Sequence, residues 1–483
     1  MIRVKTRTAT NRGEERESER SISMGKPHAL VIPFPVQGHV IPLMTLSHSL
    51  VQHGFEITFV CTEFTYKQIL SSQPKEVSSN QSQIRLISMP DGMEPGEDRN
   101  HLGKLCESIT STMPAYLEEL IRKMNRSFPD DSNNKITCVI ADENMGWAVR
   151  VAKKMGIPQV SFWPAAAGLR ALLLHIPQLI EDGVIDAKGA PKNHQMIKLS
   201  PSMPAMNTAH FGWHCIGDLP TQQALFHYLY TNTQAAKEAD WLLSNSFYDI
   251  EPSAFKLTPK LLPIGPLLGT NLSGEITGNF WSEDSSCVEW LDKQAPCSVI
   301  YIAFGSITVF NQHQFHELAI GIELIGQPFL WVVKPDLTDS SAATYPDGFQ
   351  ERIATRGKIV SWAPQQKVLA HPSVSLFITH CGWNSTMEGL SMGVPFLCWP
   401  YFADQFLNQS YISDIWKVGL QLNVGDDGII SSAEIYKKFK DLIGDETIRT
   451  RALEMKEKTN RNLTTEGSSL KNFNDFLQAM KGR

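Results

Sequence analysis

The nine residues His380-Cys-Gly-Trp-Asn-Ser-Thr-Met-Glu388 put an imidazole, an indole, an amide, two hydroxyls and a carboxylate ahead of an apolar helical run. They follow the strand-like "SLFIT", so "HCGWN" reads as the turn beyond a strand's carboxyl end and "STMEGLSM" as the helix after it. Free N–H groups at a helix N-terminus attract an anion, worth roughly 0.3–1 kcal/mol when exposed and up to ~2 kcal/mol when partly buried. Gly382 lets backbone approach closely, and His380, Asn384 and Ser385 add side-chain donors. Ser385-x-x-Glu388 also fits a capping box, in which the serine caps the helix and the glutamate bonds back to the cap. Spacing alone serves either reading.

Three other strand ends carry comparable chemistry. "FGS" (304–306) ends a strand in Gly and Ser, and Ser306 offers a second phosphate contact. In "SWAPQ" (361–365), Trp362 is either a core anchor or a stacking platform; "YFADQ" (401–405) supplies the carboxylate of Asp404 and the amide of Gln405. Phosphate donors, a flat face for a base, a carboxylate for vicinal hydroxyls and an Asp–Gln pair for further hydroxyls describe a nucleotide sugar. Stacking a base on an aromatic ring is worth roughly 1–3 kcal/mol. Far upstream, "PFPVQGHVIP" (33–42) sets His39 between a first strand and a first helix, and Asp142 ends the strand "ITCVIAD". Taken alone, His39 fits a helix cap or surface residue and Asp142 an N-cap.

The elements that must position these residues alternate along the chain. "HALVIPF" (28–34), "FEITFVC" (55–61), "IRLISMP" (84–90), "ITCVIAD" (136–142) and "PQVSFW" (158–163) read as strands, with helices over about 40–53 and around Trp147–Met155. A second series runs "SVIYIAFGS" (298–306), "QPFLWVV" (327–333), "KIVSW" (358–362), "VSLFITH" (374–380) and "VPFLCWP" (394–400). This punctuation predicts two doubly wound α/β domains. The expected layout is an N-terminal extension over 1–25, a domain over 26–255, a Pro/Gly/Ser/Thr-rich linker over 256–290, a second domain over 291–460, and a C-terminal helix over 461–483 that packs back on the first domain. Ligands of such sheets bind beyond the strands' carboxyl ends, which here means the cleft between domains.

The chain has 483 residues, 42% hydrophobic, and a formal charge of −6, which argues against nucleic acid or an anionic membrane as partner. No apolar run reaches the roughly 18–20 residues needed to span a bilayer. Eight scattered cysteines without a C-x-x-C fit a reducing compartment. The first 23 residues carry six basic and four acidic side chains and no apolar core, so they read as a disordered extension, with Met24 an alternative start. The expectation is a cytoplasmic monomer.

The 44 residues from Trp362 to Gln405, "WAPQQKVLAHPSVSLFITHCGWNSTMEGLSMGVPFLCWPYFADQ", resemble, without a gap, the donor box of plant family-one UDP-dependent glycosyltransferases acting on small molecules. The similarity of layout extends over about 26–480. It implies a GT-B fold, two Rossmann-like domains facing a central cleft. It also implies that Trp362 stacks on the uracil, the Ala363 backbone bonds its edge, Gln365 lies near the uridine and Glu388 accepts from the ribose. His380, Asn384 and Ser385, joined by Ser306, would hold the diphosphate, and Trp383, Asp404 and Gln405 the sugar. Relatives carry their catalytic histidine in the "QGH" turn, which implies His39 as base and Asp142 as its acidic partner, with the adjacent Glu143 as second candidate. His39, Met145 and Ala403 would face the acceptor. The implied reaction is a single inverting displacement in plant secondary metabolism, without cofactor or metal. A hydroxyl of a phenolic, flavonoid, monolignol or terpenoid-like acceptor attacks UDP-glucose, and a β-glucoside results. Gln405 matches relatives that use glucose, and no D-x-D spacing suggests a metal-bound diphosphate. The sequence departs from the family at Ile41, often Asn in relatives, and at Pro164, often Ser or Thr.

Other classes fit less well. "GLSMG" (389–393) matches G-x-S-x-G, but the strand follows Ser391 instead of preceding it and no histidine comes after His380. "FPVQGHV" lacks the G-x-G-x-x-G of a dinucleotide site. "HFGWH" (210–214) lacks the glutamate and helix of a zinc motif. A UDP-sugar-binding protein without turnover, or a transferase using another UDP-sugar, remains the alternative.

Overall fold

Strands buried on both faces read as continuous apolar runs, and β1, His28–Ile32, is buried at every residue. The computed structural model describes residues 26–73, 83–126, 135–269, 276–335, 337–338 and 344–481; the expected extension over 1–25 lies outside them. The first sheet adds β2 (Glu56–Thr62), β3 (Ile84–Met89), β4 (Ile136–Asp142), β5 (Gln159–Trp163), β6 (Trp241–Ser244) and β7 (Leu261–Pro263). Its order is β3-β2-β1-β4-β5-β6-β7, all parallel. The second sheet holds β8 (Val299–Ala303), β9 (Phe329–Val332), β10 (Gly357–Val360), β11 (Val374–Thr379), β12 (Phe396–Cys398) and β13 (Gly419–Gln421). Its order is β10-β9-β8-β11-β12-β13, again parallel. The chain is thus built as two doubly wound α/β domains of like topology. Winding reverses between β1 and β4 in one sheet and between β8 and β11 in the other, so each domain has its crevice beside its first strand.

Helix α1, Gln37–Gln52, starts three residues earlier than its apolar periodicity predicts, because Val36, extended at φ −126°, is the N-cap. His39 therefore lies in its first turn. The expected linker begins too early: Leu261–Pro263 has the apolar, β-branched-poor look of a loop yet pairs with β6 as the last strand of the first sheet. Pro263 is tolerated because that strand is the sheet's edge. At the other end of the chain, helix Ser468–Lys481 leaves the second domain and lays Phe473, Phe476, Leu477 and Met480 into the core of the first, beside Ala29, Val31 and Val40. Each such side chain contributes roughly 1.5–3 kcal/mol on full burial. Among the described residues no helix is long and apolar enough to cross a membrane.

Candidate active site

The two crevices face one another across a cleft of about 940 Å³, at the upper end of ordinary ligand sites. β1 leads into α1 and His39, while its neighbour β4 ends at Asp142, so the first sheet's reversal point brings these two together. His39 Nδ1 lies 2.7 Å from Asp142 Oδ2. Asp142 is fully buried and the imidazole about a quarter exposed, at 0% and 23%. Burial opposes the imidazolium, but the charge and hydrogen bond of Asp142, with a further contribution from Asp404, outweigh it and raise the His39 pKa. Asp142 meets His39 and caps a helix with different oxygens: Oδ1 accepts from Asn144 N at 2.9 Å and caps the short helix Glu143–Met145. Glu143, the second candidate, turns away into a buried ion pair with Arg170 at 2.8 Å.

Across the cleft, His380 directly follows β11, and the neighbouring β8 leads to Gly305 and Ser306. The His380 ring is held between two glycines; a Cβ at Gly305 would stand 2.6 Å from its Nε2, and one at Gly382 closer still. Burial pushes this imidazole down to about 4, so it stands at neutral pH as an uncharged donor. The helix α2, Trp383–Met392, is capped by Gly382 with no side-chain bond. The capping box over Ser385 and Glu388 is therefore not formed: the helix starts two residues before Ser385, which leaves that serine inside the first turn. Ser385 Oγ instead accepts from Gln365 Nε2 at 2.9 Å. Glu388 takes Gln365 Nε2 at 2.6 Å and Gln366 Nε2 at 2.9 Å, and burial raises its pKa in spite of these amides. Tyr301 completes the arrangement by donating to Gln365 Oε1 at 3.0 Å.

Trp362 and the buried Ala363 line the same cleft. One ring face of Trp362 stacks on Trp281, centroids 4.8 Å apart and planes 24° from parallel. Sequence reasoning missed Trp281 and Gln366; an aromatic pair, "FW", in an otherwise Gly- and Ser-rich linker was the available signal. Gln405 Oε1 accepts from Tyr401 N and Phe402 N, which aims its amide end elsewhere, and Asp404 Oδ2 accepts from Asn408 at 2.8 Å. Loss of solvent raises the Asp404 pKa. Trp383 is buried, and its indole N–H donates to the Asn245 carbonyl of the first domain at 2.7 Å, so that N–H is not free for a sugar.

On the acceptor side, Ala403 lines the cleft with φ 56°. Met145 does not. It is fully buried, since it closes the short helix that Asp142 caps, and Asn144 takes the cleft wall in its place. Ile41 and Pro164, the two departures from the family, also line the cleft. Phe34, Trp163, Leu169, Ile216, Leu225 and Leu229 make its wall largely apolar. Ser391 is buried and donates to Met387 O within α2, and His210 stacks on Phe406, so neither the hydrolase nor the zinc alternative gains a site.

Residues 281–457 match the family model described as "UDP-glucoronosyl and UDP-glucosyl transferase". The chain is 42% identical over 470 residues to UDP-glycosyltransferase 83A1 of Arabidopsis thaliana, covering 95% of this chain and 98% of that one. The chain belongs to the plant family-one UDP-glycosyltransferases. This glycosyltransferase is also 34% identical, over 92% of its length and 95% of the relative's, to (R)-mandelonitrile beta-glucosyltransferase of Prunus dulcis. Among solved structures, Phytolacca americana UGT2 complexed with UDP-2-fluoro-glucose and pterostilbene superposes with a TM-score of 0.76 at 26% identity, over 94% of this chain and 99% of that one. The glycosyltransferase therefore has the GT-B architecture and moves a glycosyl group from a UDP-sugar to a small molecule.

Proposed function

We propose that this glycosyltransferase moves glucose from UDP-glucose to a hydroxyl of a small apolar acceptor, with inversion, giving a β-glucoside. The observation that carries this is His39, held by Asp142 and facing the donor box across one cleft. With Nδ1 committed to Asp142, the Nε2 lone pair takes the proton of the acceptor hydroxyl, whose oxygen attacks the anomeric carbon as the bond to UDP breaks. Asp142 stabilises the imidazolium that forms. Charge developing on the departing diphosphate falls to the N-terminus of α2, Ser306 and the neutral His380, with no metal or cofactor in the balance.

Glucose is supported by Gln405, by the glucosyl donor analogue in the Phytolacca complex and by the name of the Prunus relative. An apolar acceptor is supported by the aromatic and aliphatic wall around His39. The assay combines purified protein, UDP-glucose, chelator and a panel of phenolic and terpenoid alcohols, with UDP release and product mass as readouts, beside His39→Ala. Glucoside formation that His39→Ala abolishes is the expected result. Binding of UDP-glucose without product from any acceptor or any other UDP-sugar would favour the silent binder.

A further inference from the structure

Gly38 immediately precedes His39, and the sequence leaves its carbonyl without the usual partner. Within α1 that carbonyl would accept from the N–H of residue 42, but residue 42 is proline. Proline has no N–H, and its ring crowds the carbonyl four residues back. The missing donor comes from the other domain: Asn384 Nδ2 donates to Gly38 O at 2.8 Å, joining residues 346 positions apart. The amide cannot be turned over, since Oδ1 would then face another oxygen. Around it the turn is held by backbone bonds from His39 N and Val40 N to Val36 O at 2.9 and 3.0 Å, while a Cβ added at Gly38 would meet nothing within 4 Å. The His39 ring is fixed by Asp142 and by an edge contact with Phe34 at 5.2 Å.

We propose that Asn384 is a positioning residue for His39. By taking the carbonyl that Pro42 leaves open, it ties the turn bearing the base to the helix N-terminus that receives the diphosphate. Placement of the base and assembly of the donor site then become one arrangement. A purely donor-binding Asn384 would act on UDP affinity and on the leaving diphosphate to the same extent whether residue 42 is proline or alanine. This inference rests on the glucosyl-transfer reading, and the test separates the two.

The variants are Asn384→Ala, Pro42→Ala and the double substitution. At saturating UDP-glucose and acceptor, Asn384→Ala lowers kcat about tenfold, the scale of one net hydrogen bond. Pro42→Ala gives α1 its own N–H for the Gly38 carbonyl, so in that background Asn384→Ala lowers kcat only about twofold. Any phosphate contact made by Asn384 shows as a loss of UDP affinity that is equal in both backgrounds. Amide exchange of the segment 34–46, followed without substrate, quickens in Asn384→Ala and returns toward the parent rate in the double variant. Effects on kcat that simply multiply, or exchange that Asn384→Ala leaves unchanged, overturn the proposal. If the parent protein makes no glucoside, the transfer reading fails, and the exchange cycle alone then decides whether Asn384 holds the turn.

Discussion

Asp142→Asn separates charge from shape at the centre of the site. Asp142 Oδ1 accepts from Asn144 N at 2.9 Å while Oδ2 meets His39 Nδ1 at 2.7 Å. An asparagine keeps the cap only by giving its oxygen to Asn144, which forces its NH2 against Nδ1. Nδ1 must then accept, and the single imidazole proton moves to Nε2, the atom that has to take the acceptor's proton. The loss of a charge-assisted bond alone costs ~1.5–3 kcal/mol, about 10–150-fold. With the tautomer reversed, kcat falls by about 10²–10⁴-fold, the full span of general-base catalysis. The pH profile adds a sign. Activity requires neutral His39, so the acid limb follows a pKa that Asp142 raises above the ordinary value. Removing that charge leaves burial opposed chiefly by Asp404, and the acid limb moves to lower pH while the plateau drops. The assay is UDP release at saturating UDP-glucose and acceptor over about pH 5–10. A variant within about threefold of the parent, or an acid limb that stays or moves to higher pH, refutes the assignment.

Three further outcomes follow from contacts in the structure. Glu388→Gln weakens UDP binding about 10-fold by calorimetry, the scale of one hydrogen bond to a charged group. In the parent, donor affinity falls on the acid side as the carboxylate, its pKa raised by burial, takes up a proton. Gly382→Ala drives a methyl into the His380 ring with no backbone penalty at φ −58°, so the KM for UDP-glucose rises at least tenfold while the His39 pH profile is unchanged. Arg170→Met leaves Glu143 buried and unpaired, both partners being no more than 2% exposed, and costs ~3–5 kcal/mol, read as a fall in Tm.

What the sequence made legible is what its local spacing encodes. From Trp362 to Gln405 the functional groups sit on consecutive strand ends and one helix start, so their order along the chain is their order around the pocket. Spacing also placed His39 near the start of α1 and Asp142 at the end of β4, and only the family resemblance set them apart from caps. The misreadings lie where tertiary partners decide. Ser385 looks like an N-cap until Gln365 claims its oxygen and Gly382 starts the helix. Leu261–Pro263 looks like linker because an edge strand of three residues carries too little periodicity to show. Met145 follows an exposed-looking Asn144, but the short helix between Asp142 and Gly146 turns it inward. Trp281 and the Asn384–Gly38 bond depend on which segments of the two domains meet, and nothing in either segment's own pattern records that.

The return of helix Ser468–Lys481 to the first domain means that the polypeptide passes between domains twice: once after β7, and again between Asn462 and Ser468; Asn472, just beyond the second passage, donates to the carbonyl of Pro263, just before the first, at 2.8 Å. A body held by two strands that cross side by side resembles a door on paired hinges more than a weight on a string. It swings about the line through both, and sliding or twisting off that axis strains one tether. Cutting the chain at residue 467 would leave a single pivot and a looser swing. Probes at Lys26 and Lys481 would both ride on the same leaf and stay silent as the door moves, whereas one on each side of the Gly38–Asn384 contact would report it.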